Sequence, residues 1–419
     1  MTEQTQNQNI SYAVLVTVTA ERTQAECDRS LDELERLLDT AGGVAVARVI
    51  QPRTSPDKAT FIGSGKVEEL HEFIRSDERI DLCVFDDELT PSQISNLGKA
   101  LGIRVIDRTM LILDIFALHA ATGEGKLQVE IACLRYTAPR LSGHGKDMSR
   151  LGGGIGTRGP GESKLEIDRR RLRARIALLQ QQIAELEKNR SVRRAARERS
   201  ELPSAAIIGY TNAGKSTLIN YLTGAGILAE DKLFATLDPT TRVMKLPDGN
   251  DILLTDTVGF IDRLPTHLVK AFKSTLEELV YADILIMLTD FSEPESERAR
   301  KRAVTQQMIA DLGAGDKPLI EVYNKSDCRI DEGYLPVDAV CISARTGEGV
   351  ENLLARLQAL VAEGKKIAKY FFAHSDGAKA ADMYRLARVI ECEYTDEGKI
   401  ITAECDERAR GMFKKYIVE

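Results

Sequence analysis

One nine-residue stretch, GYTNAGKST at Gly209–Thr217, constrains the fold of this chain more than any other. It fits the pattern G-x-x-x-x-G-K-[ST], whose defining residues here are Gly209, Gly214, Lys215 and Ser216. The apolar run at 205–208 predicts a buried strand before it, and the run at 217–222 predicts a helix after it. Glycines let successive N–H groups point inward, and a helix N-terminus adds partial positive charge. The context therefore predicts a phosphate-binding loop rather than an ordinary glycine-rich turn.

The chemistry of this loop assigns its residues to nucleotide phosphates and a metal ion. Lys215 is expected to reach the β- and γ-phosphates as a catalytic residue, and the Ser216 hydroxyl is expected to ligand Mg²⁺. The other predicted nucleotide contacts from this loop are Tyr210, Thr211, Asn212, Ala213 and Thr217.

A strand predicted at 252–255 leads into a second motif, Asp256-Thr257-Val258-Gly259. A D-x-x-G sequence at a strand end places its carboxylate where the water ligands of Mg²⁺ sit. Gly259 leaves a backbone N–H free for the γ-phosphate, so we predict a catalytic role for it as well.

Two later motifs, Asn324-Lys325-Ser326-Asp327 and Ser343-Ala344-Arg345, predict recognition of guanine. Asp327 can accept hydrogen bonds from the ring N–H and the exocyclic amine, Lys325 can cover the base plane, and Asn324 can hold the loop and the base edge. A backbone N–H of the second motif can meet the guanine O6. Adenine lacks the paired donors and would leave a buried carboxylate unpaired. Four motifs in this order over about 140 residues predict GTP binding.

The segment LFATLDPTTR at 233–242 lies between the phosphate loop and the D-x-x-G motif. A GTPase needs a threonine in this segment to sense the γ-phosphate through Mg²⁺. The residues alone leave Thr236, Thr240 and Thr241 open as candidates.

Residues 1–123 predict an α/β domain with a parallel sheet, because strand patterns alternate there with helix patterns. The strands are predicted at 12–19, 43–50, 82–85 and 104–106, and the helices at 27–40, 91–101 and 110–121. FIGSGKVEEL at 61–70 is similar to a second phosphate loop. However, Thr60 stands where that pattern requires glycine, and Val67 replaces the metal-binding hydroxyl. We predict a glycine turn that caps a helix.

Residues 124–200 predict a long antiparallel helical hairpin with a Gly/Arg-rich loop at 139–163. Apolar residues follow one face of the second helix, in steps of three and four from Leu172 onward, at Leu165, Leu172, Ile176, Leu179, Ile183 and Leu186. The first helix offers a facing stripe at Leu127, Ile131 and Leu134. The loop between the helices contains eight glycines and no periodic pattern.

Positive charge is concentrated in this hairpin. From Arg140 to Glu201 the sequence has sixteen Lys/Arg and eight Asp/Glu, which gives +8 within a protein of net charge −7. Such a split indicates a dedicated surface for a polyanion, and Gly/Arg loops often order on RNA. A solvated helix face explains the helical arginines but explains less well those in the loop. We therefore predict RNA contacts at Arg140, Lys146, Arg150, Arg158, Arg169, Arg170 and Arg171.

The rest of the chain predicts a GTPase domain at 201–364 and a small α+β domain at 365–419. No apolar run approaches the roughly 20 residues of a membrane span, and the first residues lack the features of a signal peptide. Seven scattered cysteines, with no C-x-x-C spacing, indicate reduced thiols in a cytosolic protein.

The motifs GYTNAGKST, FATLDPTTR, DTVGFI, NKSD and SAR together resemble those of the translation-factor-class (Obg-HflX) GTPases. The string GGGIGTRGPGESKLEIDRRRLRARI at Gly152–Ile176, with TFIGSGKVEEL and VFDDELTPSQ, resembles the HflX family of ribosome-associated GTPases. The resemblance covers roughly residues 12–364.

The resemblance implies a monomeric, cytoplasmic GTPase that binds the large (50S) ribosomal subunit and its rRNA. It implies a role in separating stalled or idle ribosomes or in ribosome biogenesis, with loop 139–163 near the peptidyl-transferase region. It also places FATLD on the nucleotide, through Phe234, Ala235, Thr236, Leu237 and Asp238. Thr236 then becomes a catalytic residue and the Mg²⁺ ligand beside Ser216.

One position departs from the best-known GTPases. Phe260 follows Gly259 where a glutamine would orient the attacking water, so unaided hydrolysis is expected to be slow. Asn212 stands where related GTPases use an asparagine to hold K⁺, a charge that could replace an arginine finger. Asn212 could equally brace the loop, and the ribosome could supply the missing group. The residues leave these sources open.

Two other functions fit parts of the sequence. An NTP-driven RNA-remodelling enzyme would use FIGSGK as a second nucleotide site, and its N-terminal ATP binding would survive mutation of Lys215. A signalling switch without an RNA role would bind its partner equally well after deletion of 140–162. A ribosome-binding GTPase accounts for the nucleotide motifs and the basic hairpin together.

Overall fold

The computed structural model describes residues 10–140, 164–199, 202–224, 233–234, 239–263, 278–330, 335–363 and 365–418. The chain divides into two compact units. The first consists of Met1–Ser191, Ala229–Pro239 and Val258–Glu277, and the second of Val192–Leu228, Thr240–Thr257 and Glu278–Glu419. Two short segments from the region of the nucleotide motifs therefore belong to the same unit as the N-terminal domain.

The N-terminal part of the first unit is an α/β domain, as predicted. Its elements are β1 (Tyr12–Val18), α1 (Gln24–Thr40), β2 (Val44–Gln51), α2 (Ser64–Ser76), β3 (Ile80–Phe85), α3 (Pro91–Leu101), β4 (Arg104–Asp107) and α4 (Arg108–His119). The four strands pair in parallel in the order β2-β1-β3-β4. Their apolar side chains are buried between the sheet and its helices, because helical crossovers cover parallel strands.

Local sequence signals determine where these helices begin and end. Thr90 and Gln93 form a capping box at the start of α3, Pro91 occupies its first turn, and Gly102 ends it in the left-handed conformation. In FIGSGKVEEL, α2 begins directly after Gly63, whose N–H donates to the Gln51 side chain. The glycine turn predicted there is present.

Two further helices, α5 (Gly123–Thr137) and α6 (Lys164–Arg199), correspond to the helices of the predicted hairpin. Arg175 of α6 forms an ion pair with Glu130 of α5 at 2.7 Å, and Leu179 and Ile131 are both buried. The burial of Leu179 and Ile131 agrees with the predicted apolar stripes.

The second unit contains a six-stranded sheet in the order β10-β9-β8-β5-β7-β6. Its elements are β5 (Ser204–Gly209), α7 (Lys215–Thr223), β6 (Thr241–Lys245), β7 (Asp251–Asp256), β8 (Ile284–Asp290), α8 (Glu295–Asp311), β9 (Leu319–Asn324), β10 (Val340–Cys341) and α9 (Val350–Glu363). β6 runs antiparallel to β7, whereas the other pairs are parallel. The tight turn from Leu246 to Asn250 imposes this direction, because parallel strands need a long crossover.

The C-terminal part of the second unit has its own core. β11 (Lys365–Ala373), α10 (Gly377–Leu386), β12 (Arg388–Thr395), β13 (Gly398–Asp406) and α11 (Glu407–Met412) form an antiparallel sheet, ordered β11-β13-β12, with helices packed against it. The rings of Tyr370 and Phe372 contact Phe413 edge to face. Within the described ranges, no helix combines the length and apolar character needed to span a bilayer.

We predict that Phe413→Ala destabilises the C-terminal domain by about 3–5 kcal/mol, because it leaves a cavity between Tyr370 and Phe372. Hydrogen exchange of the β11 and β13 amides measures the local opening. The matched control is Met412→Ala, whose side chain is 55% exposed and should change protection little. Equal effects of the two substitutions would contradict this account of the core.

Candidate nucleotide site

The phosphate loop lies between the end of β5 and the start of α7, as the sequence predicts. Its two glycines cannot be replaced without strain. A Cβ at Gly209 (φ +156°) would lie 2.5 Å from the Leu288 carbonyl oxygen, and a Cβ at Gly214 (φ +91°) would lie 2.2 Å from Nδ2 of Asn324. Glycine is therefore needed at both positions, because neighbouring groups approach the loop backbone too closely to leave room for a side chain.

Lys215 is buried at the base of this loop, and its Nζ donates to the carbonyl oxygens of Gly209 and Tyr210 at 3.2 and 2.9 Å. Burial lowers the pKa of Lys215 to about 8, and the nearby Asp256 carboxylate opposes that shift. A buried ammonium whose desolvation outweighs the effect of its neighbouring carboxylate is suited to an added anion such as a phosphate.

The Ser216 hydroxyl lies 3.5 Å from Oδ2 of Asp256, at the end of the neighbouring strand β7. The next residue, Thr257, donates through Oγ1 to the Ile207 carbonyl at 2.7 Å and ties the end of β7 to β5. A hydroxyl beside a carboxylate is an oxygen set that fits a hard cation such as Mg²⁺.

The Asn324 side chain joins three of the motifs. Its Nδ2 donates to the Ala213 carbonyl in the phosphate loop at 2.8 Å, and its Oδ1 accepts from the Ala344 N–H at 2.9 Å. The amide is buried, so both hydrogen bonds are shielded from water. The fold thus brings the phosphate loop, NKSD and SAR together at one end of the sheet.

The residues predicted to recognise guanine either follow Asn324 in the chain or belong to SAR. Lys325 has a left-handed backbone (φ +67°), and its Nζ forms an ion pair with Asp290 at 2.7 Å. A hydrogen bond from Ser343, with further help from Arg345, lowers the pKa of Asp327 and keeps it ionised as an acceptor. Ser326 donates its N–H to the Ile342 carbonyl.

Asp290 also lies at this site, although it was not among the residues predicted from the sequence. It ends the buried strand β8, between β5 and β9, and positions the Lys325 side chain. The sequence could have predicted Asp290, because a carboxylate at the end of an apolar strand is expected at the same sheet edge as the other motifs.

Asp256 and Thr257 of the D-x-x-G motif belong to the second unit. Val258 and Gly259 belong to the first unit, where Phe260 is 1% exposed. A ring buried in this way packs in the interior and has no hydrogen-bonding group for a water molecule.

Phe234 also belongs to the first unit, and its ring contacts Phe116 edge to face. Of the threonine candidates, Thr240 and Thr241 pair with β7: the Thr240 carbonyl accepts from the Asp256 N–H, and the Thr241 hydroxyl contacts that of Thr255. Several other predicted site residues lie outside the described residues, namely Ala235, Thr236, Leu237, Asp238, Lys146, Arg150 and Arg158.

Asn212 has a left-handed backbone (φ +62°), a conformation that asparagine adopts more readily than most residues. Its neighbours in the loop are packed: Thr211 is buried, and the Tyr210 ring carries the Lys301 ammonium 4.9 Å from its centroid. Asn212 therefore has a backbone role in the loop, and a K⁺ role stays a prediction.

Arg140, for which an RNA contact is predicted, makes contacts inside the N-terminal domain. Its guanidinium stacks 3.3 Å from the Tyr136 ring centroid, donates to the Leu89 carbonyl at 2.9 Å and lies 3.6 Å from Asp107. Only 15% of the side chain is exposed, so its charge is compensated inside the domain. Arg169, Arg170 and Arg171 are exposed on α6.

We predict that Asn324→Ala weakens GTP binding at least tenfold and lowers the stability of the second unit by about 2–4 kcal/mol. The change leaves the Ala213 carbonyl and the Ala344 N–H buried without their partner. Fluorescent-nucleotide titration and thermal denaturation measure the two effects. Asn96→Ala is the control, because Asn96 is exposed on α3 and its side chain donates a hydrogen bond to the Ala59 carbonyl. Unchanged nucleotide affinity would contradict the bracing role.

Three family models match the chain. A model for the N-terminal domain of GTP-binding GTPases matches residues 28–117, and one for their middle region matches residues 119–197. A third, described as 50S ribosome-binding GTPase, matches residues 204–325. Among solved structures, a GTP-binding protein from Sulfolobus solfataricus in complex with GDP is 25% identical and covers 84% of this chain and 99% of its own, at a TM-score of 0.45.

Curated relatives match along most of the chain. GTPase HflX of Lacrimispora saccharolytica is 46% identical over 408 residues and covers 96% of both chains. GTPase HflX of Escherichia coli K12 is 42% identical over 343 residues and covers 80% of both. The predicted resemblance and α/β fold class are confirmed. The chain belongs to the HflX family of GTPases, which hydrolyse GTP to GDP and phosphate.

Proposed function

We propose that this GTPase binds the large ribosomal subunit in its GTP-bound form and separates the two subunits of stalled or idle ribosomes. It acts in the cytoplasm as a monomer. The observation that carries the proposal is the coexistence of two features in one chain: a GTPase domain whose family model is described as 50S ribosome-binding, and a basic segment of charge +8 in a protein of net charge −7. That charge suits ribosomal RNA.

In this proposal the phosphate loop holds GTP, with Lys215 on the β- and γ-phosphates and Ser216 and Thr236 as ligands of Mg²⁺. The metal would neutralise charge that develops on the phosphates. The close Ser216–Asp256 pair supports a cation at this position. The Gly259 N–H contacts the γ-phosphate, and Asp327 selects guanine.

Water orientation is the weak point of this site, since Phe260 is buried and offers no hydrogen bond. The missing group comes either from K⁺ beside Asn212 or from the ribosome. K⁺ would supply positive charge at the γ-phosphate, and the ribosome would supply charge or order there. Either source acts only when it is bound, which is consistent with a GTPase that hydrolyses GTP slowly by itself.

We predict that, if Asn212 holds K⁺, GTP turnover of the protein alone falls at least tenfold when Na⁺ replaces K⁺ at equal ionic strength. The ion's charge stabilises the transition state, and tenfold corresponds to about 1.4 kcal/mol. Phosphate release measures turnover. Asn212→Asp should alter the preference for the ion, whereas Lys215→Met should abolish turnover in either salt. Equal turnover in both salts would exclude K⁺ and leave the ribosome as the source.

Arg169, Arg170 and Arg171 carry the RNA part of the proposal among the described residues, because they are exposed on α6 next to the Gly/Arg loop. Arg140 is left out of the proposed RNA surface, since its guanidinium is paired internally.

The alternative with a second nucleotide site in FIGSGK is less favoured. Lys66 forms an ion pair with Glu69 at 2.6 Å, and Val67 is buried where a metal-binding hydroxyl would be needed. The signalling switch without an RNA role leaves the basic segment unexplained.

We predict that purified large subunits stimulate GTP turnover strongly and that changing Arg169, Arg170 and Arg171 together to Gln removes most of this effect. Each lost phosphate contact should also reduce the slope of log K against log salt by about 0.7–0.9. The matched control changes three exposed cations of the N-terminal domain, Lys58, Arg75 and Arg79, to Gln. A second variant shortens 141–163 and keeps Arg140 in place.

Two results would contradict parts of this proposal. If subunits stimulate neither the protein nor the control variant, the ribosome is not the activator. If binding is strong but light scattering of intact ribosomes does not fall on adding protein and GTP, the factor binds without separating them.

A further inference from the structure

We propose that the N-terminal domain responds directly to the bound nucleotide by holding two segments, Ala229–Pro239 and Val258–Glu277, at one anchor each. Arg263 is the positioning residue of the second anchor. This regulation requires no ribosome, and it rests on the nucleotide contacts of Thr236 and Gly259 proposed above. It rests on contacts inside the first unit, which includes Ala229–Pro239 and Val258–Glu277 together with the N-terminal domain.

The first anchor involves Leu233 and Phe234, and Phe234 is the first residue of the FATLD sequence that is predicted to contact the nucleotide. The Leu233 N–H donates to Oγ1 of Thr40 at 3.2 Å, at the C-terminal end of α1. The Phe234 ring meets Phe116 of α4 with centroids 4.8 Å apart and planes at 78°. Both Leu233 and Phe234 are buried, so the segment is fixed by packing as well as by a hydrogen bond.

The second anchor is Arg263, four residues after Gly259. Its guanidinium binds an acidic pair that directly follows β3, with Nη2 at 2.7 Å from Asp86 and Nη1 at 3.2 Å from Asp87. It also donates to the Ser30 hydroxyl, which itself donates to Asp86 at 2.7 Å. A guanidinium that bridges two carboxylates and a hydroxyl is held in one orientation.

Charge balance shows why the N-terminal domain needs this arginine. The charged cluster consists of Arg22, Glu33, Asp86, Asp87, Arg108 and Arg263. Arg22 and Arg108 also contact Asp86, at 3.1 and 3.0 Å, and Arg108 pairs with Glu33 at 2.6 Å. Among these six described residues, the three carboxylates are matched by three guanidiniums only when Arg263 is present.

The charge balance matters most for Asp86, because its side chain is fully buried. Burial alone would raise its pKa, but Arg108 and Arg263 overcome that effect and lower it. A buried carboxylate that loses one of its cations is destabilised far more than an exposed one. The acidic pair thus favours any position of the second segment that keeps Arg263 in place.

The backbone supports the same conclusion. Phe234 (φ +56°) and Arg263 (φ +51°) both adopt the left-handed conformation, which is unfavourable for residues with a Cβ. Such conformations persist where surrounding contacts over-determine them, and they cluster at switch regions. Each of the two anchors contains one residue in this conformation.

The consequence is a thermodynamic coupling. GTP and GDP favour different positions of the segments that contact the γ-phosphate. The anchors favour one of these positions, so the N-terminal domain changes the relative affinity for the two nucleotides, and each nucleotide changes how firmly the anchors are held.

The test measures binding of GDP and of a non-hydrolysable GTP analogue to the full chain in four forms: unchanged, Arg263→Ala, Asp87→Asn, and the double variant. Asp87 is chosen because it is 26% exposed, so its variant should fold even if an Asp86 variant does not. We expect Arg263→Ala to change the ratio of the two affinities about fivefold or more. The change should be much smaller in the Asp87→Asn background, and Arg263→Lys should restore part of it.

The matched control is Arg79→Ala, which removes an exposed arginine ion pair with Asp77 in the same domain and should leave the ratio unchanged. Thermal denaturation of each variant verifies the fold. Equal loss of affinity for both nucleotides would reduce Arg263 to a structural residue. Independent effects of Arg263 and Asp87 would show that the acidic pair does not position it. Either result overturns the proposal.

Discussion

The buried amide of Asn324 is the interaction on which the nucleotide site depends. One side chain joins the phosphate loop to SAR through two shielded hydrogen bonds, and its Nδ2 occupies the space that a Cβ at Gly214 would need. The same residue begins NKSD, so any displacement of this predicted guanine-binding motif also displaces the phosphate loop. Recognition of the base and of the phosphates is therefore mechanically linked.

This arrangement follows from the sheet. β5, β7, β8 and β9 are parallel neighbours, so the residues that follow them converge at one edge even though they are far apart in sequence. Asp256, Asp290 and Asn324 each end a strand there. Charged groups at this edge are partly shielded by the protein. Lys215 shows the effect, since burial lowers its pKa and leaves it dependent on an added anion.

Buried charge has a second location, at the carboxyl end of the N-terminal sheet. Asp86 follows β3 and accepts from three arginines, one of which lies in the segment after the D-x-x-G motif. The four-stranded N-terminal sheet and the six-stranded sheet thus both place charged groups at the carboxyl ends of their strands, but for different purposes. In the GTPase domain the strand ends hold groups suited to a ligand, whereas in the N-terminal domain they hold an internal arginine.

Local signals explain why much of this could be predicted from sequence. The phosphate loop, NKSD and SAR are short motifs at the ends of apolar runs, and a capping box with Pro91 and Gly102 defines α3 almost residue by residue. The antiparallel direction of β6 was missed, although the turn before Asn250 carries the Asp-Gly signal of a hairpin. The internal contacts of Arg140 were not predicted, because a basic residue beside a Gly/Arg loop gives no sign that its guanidinium stacks on Tyr136 and lies near Asp107.

By itself, the sequence determined the fold class, the family and the nucleotide chemistry, because these depend on periodicity and on motifs whose parts are adjacent in the chain. Only the tertiary structure decided which charges are paired. Asp86 and Arg263 are 177 residues apart, and nothing in their local sequence relates them. The same is true of Asp290 with Lys325 and of Phe234 with Phe116. Ion pairs and ring contacts of this kind form where packing brings two side chains together. The distance in space between residues that are far apart in sequence is set by the folding of the whole chain.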